Sequence, residues 1–398
     1  MTLPAPSPDA LAHSARLTEC LIEEIRSAGG WIPFARYMDL ALYAPGLGYY
    51  AAGAQKFGAA GDFVTAPELS PLFGRALARQ VAEVLAQSAP HVIEAGAGSG
   101  RLAADLLLAL EALGCLPETY QILDLSPDLI QRQRATIAGA APHLQDRVRW
   151  LDTLPERFAG VLLGNEVLDA MPAHLVHWSD SDGQTRERGV ALATNGGFCF
   201  EDRALCDALT APAAQAREFC KLSADSAPGV TGEYSGDFLS EISPSNRAWV
   251  GEWASRLDAG AIILIDYGFP RAEYYHPQRA AGTLMCHYRH HAHGDPFYLP
   301  GLQDITVHVD FTTVAEAAFE RGLSVLGYTA QSHFLLNCGI LDLAAKEVDP
   351  HQRIRDASAL NQLLSPAEMG ELFKVIALGR GVREPLLGFS HGDRTSRL

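Results

Sequence analysis

The sequence predicts an α/β fold: a mostly parallel sheet with helices on both faces. Three observations carry that reading. Short apolar segments alternate with longer helix-periodic ones from His91 onward. A glycine-rich turn, Gly96–Gly100, stands where the first of those strands hands over to a helix. Residues 180–243 interrupt the rhythm, which then resumes, the pattern of an insertion.

Taken in order, the first element is a helix. Ser7 can cap it, Pro8 suits its first turn, and Leu11, Ala15, Thr18, Ile22 and Ile25 recur at three- and four-residue spacing up to Gly29-Gly30. Residues 31–68 are rich in Gly, Tyr, Pro and Phe without a sustained period and read as a long functional loop. Ser70-Pro71 opens a second helix. Strands are expected at His91–Ala95, Tyr120–Leu123, Arg147–Leu151, Gly160–Leu163 and His174–Trp178, with helices from Arg101 and from Ser126-Pro127 between them. After the insertion come a helix following Pro244 and a strand at Ala261–Ile265. A loop-rich stretch at 267–310 follows, then a helix at Thr313–Arg321 and a strand near Leu323–Tyr328. Helices and a final hairpin close the chain. This divides the chain into an N-terminal cap and lid loop (1–88), a core (89–330) and a C-terminal helical extension (331–398).

Composition narrows the function. The 398 residues carry 31 basic and 47 acidic side chains, a net charge of −16, which argues against nucleic acid as a partner. No apolar run approaches the ~20 residues needed to cross a bilayer, so no membrane insertion is expected. Seven scattered cysteines, none spaced C-x-x-C, favour a reducing compartment over a disulfide framework or zinc site. With no basic leader in the first ten residues, a cytoplasmic location is expected. His287, His290, His291 and His293 read as loop residues, and no metal is expected.

The segment Glu94-Ala95-Gly96-Ala97-Gly98-Ser99-Gly100 carries the chemistry. Its pattern is E-x-G-x-G-x-G, whereas dinucleotide sites use G-x-G-x-x-G to aim a helix N-terminus at a pyrophosphate. S-adenosylmethionine has no phosphate but does have cationic groups, which an acid at Glu94 suits. Asp124, after the second strand, is placed to accept the ribose hydroxyls. Gly96, Gly98 and Gly100 let the ligand approach the backbone. After the fourth strand, Asn165, Glu166 and Asp169 fall where open α/β sheets place their sites. Glu166 and Asp169, three residues apart, can share a face, bind a cationic group and take a proton. Their structural alternative is a helix N-terminal pair satisfying backbone N–H groups.

These residues, with Tyr43–Tyr50, Gly61–Ser70, Leu125–Pro127, Asn165–Pro172, Glu241–Pro244, Ile265–Gly268, Gly282–Leu284 and His308–Phe311, resemble the MidA family of S-adenosylmethionine-dependent methyltransferases. That family includes the mitochondrial complex I assembly-factor protein arginine methyltransferases. The resemblance implies a Rossmann-like methyltransferase fold with an N-terminal cap and inserted substrate-binding elements. It implies S-adenosyl-L-methionine as cofactor and a protein substrate, arginine favoured, with a respiratory complex I subunit as one candidate. It also implies that Asp62 and Phe63 close over the cofactor, joined by Phe57, Tyr49 and Tyr50, that Asn165 contacts it, and that His308, Asp310 and Asp266 line the substrate pocket. Ala97 stands where the family often has proline, and Asp124 where glutamate is common. Two other readings stay open: a non-catalytic assembly factor that retains the cofactor pocket, and a Rossmann-type NAD oxidoreductase.

Overall fold

The computed structural model describes residues 3–52, 65–226, 236–383 and 385–398. Seven strands build the central sheet: β1 His91–Ala95, β2 Thr119–Leu123, β3 Val148–Leu151, β4 Phe158–Asn165, β5 Leu257–Phe269, β6 Ser324–Ala330 and β7 Phe373–Arg380. Their order is β6-β7-β5-β4-β1-β2-β3, and the two-residue strand Val309–Asp310 adds to the end of β5. From β3 to β5 every pairing is parallel; β7 runs antiparallel to both its neighbours.

Successive residues of these strands enter opposite layers, as the two-residue period requires. Val92, Val161, Leu163, Ile263 and Val375 face the helices Pro71–Leu85 and Arg101–Ala112. Ile93, Leu162, Ile262, Leu264 and Ile376 face Pro244–Arg256 and Phe311–Phe319. Because both faces are covered, the strands read as continuous apolar runs.

A second, antiparallel sheet stands apart in sequence from the first. Its order is Trp31–Pro33, Thr185–Leu192, His174–Trp178, Phe238–Ile242, with Phe198–Ala204 also paired to Thr185–Leu192. Residues 285–306 add three short antiparallel strands, His291–His293, Met285–Tyr288 and Asp304–Thr306. No helix among the described residues is long and apolar enough to cross a membrane.

Three sequence expectations need correction. His174–Trp178 is not the fifth strand of the parallel sheet; it pairs antiparallel within the second sheet, where the 180–243 insertion joins it. Residues 31–43 are not loop: Trp31–Pro33 is a strand and Phe34–Tyr43 a helix. That helix buries Phe34, Ala35, Tyr37, Met38, Leu40, Ala41 and Leu42, and its polar stripe is reduced to Arg36 and Asp39, too short to stand out as a period in the sequence. Finally, residues 331–398 are not wholly an extension, because β7 inserts between β5 and β6 inside the central sheet.

Candidate active site

The glycine loop runs from the C-terminal end of β1 into the helix Arg101–Ala112. Gly100 caps that helix at φ +83°, and a Cβ there would lie 2.8 Å from the Cα of Gln133. Gly98, at φ +52°, differs: its missing Cβ would point into open space. Gln133, fully buried, donates through Nε2 to the Gly98 carbonyl at 3.2 Å and to Asp124 Oδ2 at 2.7 Å. Its Oε1 accepts the Trp150 indole N–H at 2.8 Å. One side chain thus fixes the distance between the loop and the acid after β2.

The acids flanking the loop are held in unlike settings. Glu94 is buried, and burial pushes its carboxyl up to about 7, opposed by the Tyr120 hydroxyl that donates to it at 2.6 Å. Asp124 is partly exposed and accepts the Ser126 N–H at 3.0 Å; burial raises its pKa as well. Glu68 accepts the Ser99 hydroxyl and so ties the segment before Ser70 to the loop.

Beyond β4 the chain turns sharply. Glu166 adopts φ +54°, a conformation few side chains other than glycine hold, and its N–H donates to the Ile265 carbonyl at 2.8 Å. Asn165 Nδ2 donates to Glu166 Oε1 at 2.9 Å. Burial first, then the charge of Asp169, pushes the Glu166 carboxyl up to about 8. Asp169 is 5% exposed, and burial raises it against a hydrogen bond from Tyr267. Its Oδ1 and the Oδ1 of Asn165 are buried with no hydrogen-bond partner among the described residues. Buried acceptors without donors are rare and mark places where a ligand donor belongs.

Supporting groups surround this pair. Asp266 accepts the N–H groups of Leu168 at 2.9 Å and Asp169 at 3.3 Å, and burial, with the charges of Asp169 and Glu166, raises its pKa well above the usual carboxylate range. The Val307 N–H donates to the Asp169 carbonyl at 3.0 Å, and the Tyr43 hydroxyl to the Ala170 carbonyl at 3.1 Å.

The structure therefore brings Glu94, Gly96, Gly98, Gly100 and Asp124 together along one edge of the sheet, and Asn165, Glu166, Asp169 and Asp266 at the end of the adjoining strands. Asp266 is the support of the Leu168–Asp169 turn rather than a free pocket wall. His308 packs its ring against Tyr267 and Phe269, each 5.2 Å away, and burial with Arg279 and Lys374 nearby lowers its pKa to about 4. The Asp310 carboxylate is engaged within the fold: it caps the helix Phe311–Phe319 through the N–H groups of Thr312 and Thr313 and pairs with Arg271 at 3.2 Å. Phe57, Asp62 and Phe63 lie outside the described residues. Sequence reasoning missed Gln133, Tyr120, Glu68 and Asp304. Glu68 sits in a quoted block but carries no spacing signal of its own.

The donor set fits S-adenosylmethionine: two acids for its cationic and hydroxyl groups, and a loop whose central glycine faces open space. A family profile described as an S-adenosyl-L-methionine-dependent methyltransferase matches residues 76–329. The chain belongs to this methyltransferase family. The methyltransferase is also similar, at 51% identity with both chains fully covered and a TM-score of 0.91, to a Burkholderia thailandensis protein crystallised with S-adenosyl-homocysteine. Among curated proteins it is 27% identical to the Caenorhabditis elegans "Protein arginine methyltransferase NDUFAF7 homolog, mitochondrial", covering 94% of this chain and 87% of that one. The Drosophila melanogaster protein of the same name is 28% identical over 98% of this chain and 93% of its own. The cofactor of this methyltransferase is S-adenosyl-L-methionine. The expected cytoplasmic location is overturned by these relatives, which are named as mitochondrial proteins.

Proposed function

We propose that this methyltransferase transfers a methyl group to the guanidinium of an arginine in a protein substrate. The observation that carries the reading is the Glu166–Asp169 pair: two neighbouring carboxyls with raised pKa, one of them holding a buried, partnerless oxygen. When bound, S-adenosylmethionine supplies an electrophilic methyl on a positively charged sulfur. Glu94 would hold its amino group, Asp124 its ribose, and the loop around Gly98 its backbone-facing side.

The chain's own residues then have two tasks. A guanidinium is cationic at neutral pH and offers planar, forked donors that carboxylates match. Glu166 and Asp169 would orient it and disperse its charge. Nitrogen must lose a proton as it gains the methyl, and a carboxylate whose pKa lies near neutrality is a suitable acceptor. Asp266 and Tyr267 keep Asp169 in place for this. The names of the curated relatives support the choice of arginine in a protein, and the resemblance described above favours a complex I subunit as the partner. The test is Glu166→Gln: S-adenosyl-homocysteine should still bind, and transfer to protein arginine should be lost. Transfer at the wild-type rate would remove Glu166 from the chemistry.

A further inference from the structure

The pocket at the end of β4 has a second acidic side. Asp304, 2% exposed, begins the strand Asp304–Thr306. The Tyr50 hydroxyl donates to its two oxygens at 3.0 and 3.1 Å, and the Ile305 N–H donates to Oδ1 at 3.0 Å. Tyr50 stacks on Tyr43 with ring centroids 5.6 Å apart and planes inclined by 20°.

These groups converge on the residues already placed at the acceptor. Tyr43 donates to the carbonyl of Ala170, and the Val307 N–H, three residues beyond Asp304, donates to the carbonyl of Asp169. Asp304 and Asp169 both make ionisation of Tyr43 harder, and Asp304 adds to the upward shift of Glu166. Tyr43 and Tyr50 are partly exposed, whereas Tyr49 between them is buried. The partnerless, nearly buried Oδ1 of Asp169 is the independent sign that this space takes a donor.

We propose that Asp304 and Tyr50 form a specificity-determining side of the acceptor pocket that selects a planar guanidinium over an ammonium. The proposal rests on the arginine reading above. A guanidinium carries five N–H donors in one plane and needs acceptors along more than one edge, with a flat surface against its face. Glu166 and Asp169 supply one set of acceptors, Asp304 supplies another, and the stacked Tyr43–Tyr50 pair supplies the flat wall. An ammonium is a compact charge that a single carboxylate pair satisfies, so it gains less from the second side.

Calorimetry on the full chain loaded with S-adenosyl-homocysteine tests this, with n-butylguanidine and n-pentylamine, both monocations, as the probes. The wild type should favour n-butylguanidine by about tenfold or more. Asp304→Asn should bring the two probes within about twofold while S-adenosyl-homocysteine binds as before. Because Asp304 also holds Ile305, Tyr50→Phe is the second variant: it keeps the ring, removes the hydroxyl, and should erode the preference in the same direction. An undiminished n-butylguanidine preference in a folded Asp304→Asn, or in Tyr50→Phe where the first variant does not fold, overturns the specificity role and leaves the arginine reading standing. A wild type that prefers n-pentylamine, or takes neither probe, overturns both.

Discussion

The Oδ2 atom of Asp266 lies 2.9 Å from the backbone nitrogen of Leu168, so the end of β5 fixes the turn that follows β4. Through that contact and the one to Asp169, a buried carboxyl near the end of β5 fixes the backbone turn that carries Asp169. Its other oxygen, Oδ1, accepts the Tyr267 N–H at 2.9 Å, so both carboxyl oxygens are held by backbone donors.

The glycines of the loop should respond differently to the same substitution. Gly98→Ala places a Cβ in open space, costs about 1 kcal/mol through its positive φ, and should weaken S-adenosyl-homocysteine binding by filling the ligand's side of the loop. Gly100→Ala drives a Cβ to 2.8 Å from the Gln133 backbone and should cost several times more stability. Parallel thermal melts and calorimetry check this; equal melting temperatures would show that the Gln133 contact is not rigid.

Cofactor affinity should fall on acidification. Glu94, pushed up to about 7, must be ionised to hold a cationic amino group, so binding weakens as pH drops through that value. Tyr120→Phe removes the hydrogen bond that favours the charged form and should move the acid limb to higher pH. A pH profile of S-adenosyl-homocysteine affinity unaltered by Tyr120→Phe would sink the assignment.

Stability should carry the signature of Glu166. Its folded-state pKa, about 8, exceeds the ordinary 4.5, so the folded chain keeps a proton that the unfolded chain releases. The associated stability is full below 4.5 and is lost as pH rises to about 8. Glu166→Gln should therefore melt progressively higher than wild type across that window, with the gap level above it. A gap that is constant with pH would mean Glu166 titrates as an exposed carboxylate.

Asp310→Ala should damage the fold and spare the ligand. It removes an N-cap and strands the buried Arg271 beside Glu316 alone, a loss of about 3 kcal/mol. Denaturant titration should show that drop, with S-adenosyl-homocysteine affinity unchanged in the folded fraction. Weakened binding at full stability would return Asp310 to the pocket.

Much of the core was legible because its signals are local. The strand His91–Ala95, the loop from Gly96 and the helix from Arg101 are contiguous, and each announces itself by period or by glycine. The elements that were misread lack such signals. The helix Phe34–Tyr43 buries seven of its ten residues, so its polar stripe is reduced to Arg36 and Asp39. His174–Trp178 has the composition of a core strand, and only its distant partners Thr185–Leu192 and Phe238–Ile242 assign it to another sheet. At the site, Asn165, Glu166 and Asp169 stood together in one motif. Asp304, Tyr50 and Gln133 join them only through contacts between segments far apart in sequence, such as the Tyr50–Asp304 bond across 254 residues. Asp310 shows the same limit, because a capping aspartate and a ligand aspartate look alike until the helix behind them is seen.

The placement of β7 between β5 and β6 has a consequence for biosynthesis. On a ribosome adding about 5–20 residues per second, the glycine loop and both reactive acids emerge long before residues 373–380. Until those residues arrive, β5 keeps a bare edge and β6 has no neighbour to hydrogen-bond. The strand whose end positions Asp266 is therefore among the last to be secured. A nascent or prematurely halted chain carries every chemical group of the methyltransferase yet presents an unfinished sheet, the kind of surface that chaperones and proteases engage. A chain halted before residue 373 therefore lacks the strand that secures β5, whose Asp266 holds the turn carrying Asp169.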